Sequence, residues 1–104
     1  MSECDIMTTD RQSEWRVHFH KALSNLERLR IVDFLADGEQ CQCDIFPQIG
    51  LSQSTVSAYL TQLVRAGILS VRREGTRKLY SLSDSRIRNM IEDIRVVAVE
   101  KIAR

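Results

Sequence analysis

Cys41 and Cys43 stand two residues apart in Gln40-Cys41-Gln42-Cys43-Asp44, a few residues before Leu51-Ser52-Gln53-Ser54-Thr55-Val56-Ser57-Ala58-Tyr59-Leu60. Thiolates are soft donors that select soft ions over Mg²⁺ or Ca²⁺, and a thiol pair can also oxidise reversibly. A free cysteine is as readily a small buried hydrophobe. The downstream segment carries short polar side chains of the kind that let a helix enter the major groove. Gln53 can bond an adenine bidentately, and Ser54 and Ser57 can reach bases or phosphates. Thr55 lies among them, and Ser52, with the open N–H groups of a helix start, can hold a phosphate. Thiols placed beside such a reader suggest a switch rather than a catalyst. In agreement, the chain has no paired-carboxylate, Ser-His-Asp or Cys-His arrangement at a suggestive spacing, and no Gly-rich phosphate loop.

The elements that must position these residues follow from periodicity and punctuation. Trp15, Phe19 and Leu23 recur every four positions, which predicts a helix from about Asp10 to Leu23. Ser24 and Glu27 have capping-box spacing, and a second helix follows through Leu26, Leu29, Val32, Phe34 and Leu35, ending at Asp37-Gly38. A short third helix is expected over roughly Cys41 to Ile49, starting nearer Asp44 if Pro47 is to lie in its first turn. Ser52 then caps a fourth helix with Val56, Leu60, Leu63 and Val64 inward, closed by Gly67. Two β-like runs, Ile68 to Arg73 and Arg77 to Leu82, flank Glu74-Gly75-Thr76 and predict a hairpin. It would carry Arg72, Arg73, Arg77 and Lys78 as a wing laid on phosphates or the minor groove. A last helix from about Asp84 bears Ile87, Ile91, Ile94, Ala98 and Ile102, a stripe that must be buried against something.

Together these predict a mainly α fold with a β-hairpin wing: a winged helix-turn-helix over residues 11–104, preceded by a flexible leader over 1–10. Charge supports the placement of the reader. Residues 1–50 hold five Lys/Arg and nine Asp/Glu (−4), and residues 51–104 hold ten and five (+5). A solvated charged surface would show the same asymmetry. No apolar run nears the roughly 18–20 residues of a membrane span, and Met1 to Asp10 lacks the basic and apolar regions of a signal peptide. The expected location is the cytoplasm with no membrane partner, where three cysteines would be reduced.

Three segments resemble, in order, the ArsR/SmtB family of metal-responsive repressors. Ala22 to Val32 is similar to the family's opening signature, Gly38 to Ile45 to its third-helix metal box, and Leu51 to Ser57 to its recognition helix. The resemblance covers about residues 15–83. It implies a homodimer through the first and last helices that binds double-stranded operator DNA without a cofactor and releases it when an inducer ion binds. Where the family usually has a basic and a His-like residue after the Ser-Thr-Val-Ser core, this chain has Ala58 and Tyr59. Tyr59 is expected to be partly packed, with its hydroxyl available to a phosphate.

The resemblance also implies that Cys41 and Cys43 hold thiophilic ions. Arsenic-sensing relatives add a third cysteine three positions on, which is Phe46 here. Cys4 is the remaining thiol, and N-terminal cysteines complete this box in some cadmium- and lead-sensing relatives. A three-sulfur set would suit As(III) or Sb(III), or else Pb(II), while Cd(II) would want a fourth ligand. In an ideal helix residues two apart diverge by about 200°, so Cys41 and Cys43 are expected to share an ion only through a distorted turn. A direct disulfide between them would be geometrically tight, so that oxidation is expected to pair them with Cys4 or another subunit instead. His18 and His20 point to different sides of a helix and are not expected to ligate. A redox-sensing repressor using the same thiols, and a winged-helix protein-interaction module, remain open alternatives.

Overall fold

The computed structural model describes residues 3–103, with side chains from Asp10 onward. Five helices and three strands follow in the order α1 (Glu3–Leu23), α2 (Leu26–Leu35), β1 (Gln40–Cys41), α3 (Gln42–Ile49), α4 (Gln53–Arg65), β2 (Leu69–Glu74), β3 (Arg77–Leu82) and α5 (Ser85–Ile102). This is the mainly helical winged helix that the apolar periodicities predict. The helix expected from Asp10 begins instead at Glu3, so α1 continues through the segment set aside as a leader.

The α2 cap sits one residue later than the capping box predicts. Asn25 is extended (φ −146°, ψ 130°), and its Oδ1 accepts the Arg28 N–H at 3.0 Å. Ser24 serves the preceding helix, its Oγ donating to the Lys21 carbonyl at 2.7 Å. Glu27 is left to pair with Arg30 at 3.1 Å. Two adjacent cap-competent residues can divide two helix ends between them.

Ile31, Val32 and Leu35 of α2, Ile45 and Ile49 of α3, and Val56, Leu60 and Leu63 of α4 make one buried core with Leu82 of β3 and Ile68, which precedes β2. Leu26, expected inward, is exposed. From α1, Phe19 and Ala22 join the core, and Arg28 ties that helix down by donating from Nε to the Ala22 carbonyl at 2.7 Å. Gly50, at φ 78°, makes the turn between α3 and α4. A side chain there would sit in the left-handed region at a cost of about 1–2 kcal/mol.

The wing is a three-stranded antiparallel sheet, order β1-β3-β2, rather than a hairpin alone. Glu74 pairs with Arg77, leaving a two-residue Gly75-Thr76 turn. Gln40 and Cys41 pair with Tyr80 and Leu79 of β3, so the thiol segment is stitched to the wing. No described helix is long and apolar enough to cross a membrane.

Candidate thiol and nucleic-acid interface

Ser52 is the N-cap of α4, its Oγ accepting the Thr55 N–H at 3.2 Å and bonding Thr55 Oγ1 at 2.8 Å. Burial of Val56, Leu60 and Leu63 on one side leaves Gln53, Ser54, Ala58 and Thr61 exposed on the other. Ser57 is half-buried on that outer face because Gln42 Nε2 donates to its Oγ at 3.0 Å. Tyr59 is half-buried too, with the Arg28 guanidinium 5.3 Å from its ring centroid.

Arg73 and Arg77 are exposed near the wing tip and Lys78 is half-buried. Arg72 is committed elsewhere. Its Nε and Nη2 bond both oxygens of Glu39 at 2.8 and 2.7 Å, and Nη1 lies 3.3 Å from Glu74. Hydrogen bonding to Arg72 holds the Glu39 carboxyl below its ordinary pKa and raises that of the guanidinium. Charge counting from sequence treats the wing cations as equivalent, and Glu39 becomes a partner only when β1 lies beside β3.

The expectation about the cysteines is corrected by the backbone. Cys41 is not helical but extended (φ −69°, ψ 144°), the last residue of β1 and the N-cap of α3. The divergence of about 200° between helical neighbours therefore does not apply. Cys41 and Cys43 have Cα atoms 5.2 Å apart and are paired with each other as a disulfide, rather than with the expected Cys4 or another subunit. That spacing lies within the ordinary range for bridged cysteines. The Cys43 N–H also donates to Cys41 Sγ at 3.2 Å. Pro47 lies beyond the first turn of α3, where its lack of an N–H leaves the Cys43 carbonyl without that helical partner. The helix tolerates this because it ends two residues later.

Cys41 is buried and Cys43 exposed. Both line a cleft of about 380 Å³ with Gln42, Phe46, Pro47, Gln53, Thr76, Arg77 and Lys78. The thiol pair, the first residue of the reading helix and the cations of the wing tip thus share one cavity. Two sulfurs make part of a soft-ion site, and among the described residues no cluster of three or more His, Cys, Asp or Glu side chains completes it. Cys4 belongs to α1 by its backbone, but its side chain lies outside the described residues.

A family description, bacterial regulatory protein of the arsR family, matches residues 26–71, from α2 into β2. The arsenical resistance operon repressor of Staphylococcus aureus is 31% identical over 77 residues, 74% of each chain. The chain belongs to the ArsR family. The HTH-type transcriptional regulator Rv0324 of Mycobacterium tuberculosis is 39% identical over 80% of this chain, which spans 37% of that protein's length. In solved structures, the homodimeric winged helix-turn-helix DNA-binding domain Mb0332 of Mycobacterium bovis superposes with a TM-score of 0.84. It is 32% identical, covering 98% of this chain and 91% of that one. As a member of this family the protein is a winged-helix, DNA-binding transcription regulator.

Proposed function

We propose that the protein is a cytoplasmic repressor, a homodimer through α1 and α5, that releases operator DNA when Cys41 and Cys43 capture a thiophilic ion. The observation that carries this reading is the shared cleft: the sulfurs stand among Gln53, Arg77 and Lys78, the residues that would meet DNA. Gln53, Ser54 and Ser57 would read bases, Ser52 and the α4 N-terminus would hold a phosphate with Thr55 and Tyr59 beside them, and Arg73, Arg77 and Lys78 would lay charge on the backbone. Arg72 would contribute less, being held by Glu39. As(III) or Sb(III) fits a three-sulfur set completed by Cys4 of either subunit, and Pb(II) or Cd(II) is the next class. Arsenical, cadmium and mercury resistance regulators all stand among its relatives, which supports a thiophilic ion in general. Nothing in this action requires catalysis.

The homodimer is supported by the apolar side chains that α1 and α5 leave exposed, among them Trp15, Met90, Ile94, Val97 and Ile102. The convergence of Cys41 and Cys43, close enough to bond to each other, supports a second reading, a redox switch. There, two thiols give up two electrons and two protons to an oxidant such as a peroxide, and the disulfide forms.

Titrating a DNA complex of the reduced dimer with As(III), Sb(III), Pb(II), Cd(II) and hydrogen peroxide separates the two. Release by an ion under reducing conditions is the expected result. Release by peroxide alone would replace the ion with the redox switch, and an unchanged response in Cys4→Ser would remove Cys4 from the ligand set.

A further inference from the structure

Gln42 stands between the two cysteines, and its side chain crosses to the reading helix, Nε2 donating to Ser57 Oγ at 3.0 Å. Both residues are half-buried, which shelters the bond from competing water. A serine hydroxyl has one O–H to donate and two lone pairs to accept with. With Cys41 and Cys43 paired, the Gln42 amide holds the Ser57 Oγ toward the thiol turn and occupies a lone pair that would otherwise face DNA. Without that amide the hydroxyl is free to rotate and to donate or accept at the DNA face.

The turn at residues 41–43 is built to respond to its sulfurs. On one side Cys41 is anchored by its pairing with Leu79 in the sheet. On the other, the Cys43 carbonyl receives no N–H from Pro47, so α3 resists a change there weakly. A disulfide, a free dithiol and an ion-bridged pair hold these two sulfurs at different separations. Gln42 is the residue between the two, so a shift of the turn that accompanies this difference passes through it.

We propose that Gln42 is a positioning residue that couples the state of the Cys41–Cys43 pair to the reading helix, by holding or releasing the Ser57 hydroxyl. The proposal rests on the thiol-switch reading above, whichever chemistry drives that switch.

The test is a ratio. The DNA Kd of the full-length dimer is measured with the pair reduced, and again after As(III) or hydrogen peroxide, on a duplex selected by the wild-type protein. A uniform loss of affinity cancels in that ratio. Gln42→Met keeps the length and apolar body of the side chain but removes the donor, and should shrink the ratio by about two- to tenfold, the worth of one hydrogen bond. Ser57→Ala should shrink it equally, the double variant no further, and Ser57→Thr should retain it. A wild-type ratio in Gln42→Met, or independent losses that multiply in the double variant, would overturn the coupling. If Gln42→Met failed to fold, the contrast between Ser57→Ala and Ser57→Thr would decide the matter. A ratio of one in the wild type under both treatments would overturn the thiol switch itself, which tells that failure apart from a failure of Gln42.

Discussion

The α2–α4 core and the terminal helices solve the same burial problem in opposite ways. Ile31, Leu35, Ile45, Leu60 and Leu63 are fully buried within one chain. On α5, by contrast, Ile91 is buried while Ile94 and Ile102, from the same stripe, are 57% and 81% exposed. Trp15 of α1 packs one ring face on Phe19 at 5.4 Å and leaves half its surface to solvent. The reading half of the molecule therefore buries its apolar residues within one chain, whereas the described part of the terminal helices leaves much of its apolar stripe exposed.

The strongest way to break this contrast is in the core. Leu60→Ala should cost about 2–5 kcal/mol, read as a lowered denaturant midpoint, and a change below about 1 kcal/mol would mean that α4 does not rely on that packing. In the terminal half, Ile94→Glu with Val97→Glu should yield monomers by analytical ultracentrifugation while each chain keeps its helical content. Losing the linkage between two half-sites should then weaken DNA binding by about 10²-fold or more. A persistent dimer would move the interface elsewhere.

Smaller effects sharpen the contrast inside the wing. Arg77→Ala should make the dependence of log K on log salt shallower by about one unit for each phosphate that is no longer neutralised. Arg72→Ala should change that slope less, because its guanidinium already serves Glu39. Equal slopes would show that DNA displaces Glu39.

The smallest effect concerns pH. The Glu39 carboxyl has its pKa lowered in the folded protein, so the stabilisation from its pair with Arg72 is present above the ordinary glutamate value of about 4.3. It is lost as pH falls through the lower folded value. Melting temperatures of the wild type and Glu39→Gln should thus differ at neutral pH and converge in acid. Parallel curves would mean that the pair contributes nothing.

Sequence reading succeeds where one residue's chemistry decides the outcome. Ser52 caps α4, Gly50 makes the preceding turn, and the hairpin turns at Gly75, one residue more tightly than expected. It fails where two adjacent residues compete, as at Ser24 and Asn25, or where a distant strand decides. The two-residue strand β1 has no signature of its own, because its conformation comes from pairing with Tyr80 and Leu79. Once Cys41 is drawn into that strand, its side chain leaves the helical direction and meets Cys43.

The helix-turn-helix, the wing, the clustering of basic charge and the presence of a soft-donor pair are thus written in the chain itself, since periodicity, caps and turn residues act within a few positions of each other. Only packing makes the cysteines converge, ties Arg72 to Glu39 and sets Gln42 against Ser57. Each of these depends on where β1 and α3 settle against the rest of the fold, and hydrogen bonds of about 3 Å reach only between side chains that packing has already brought together.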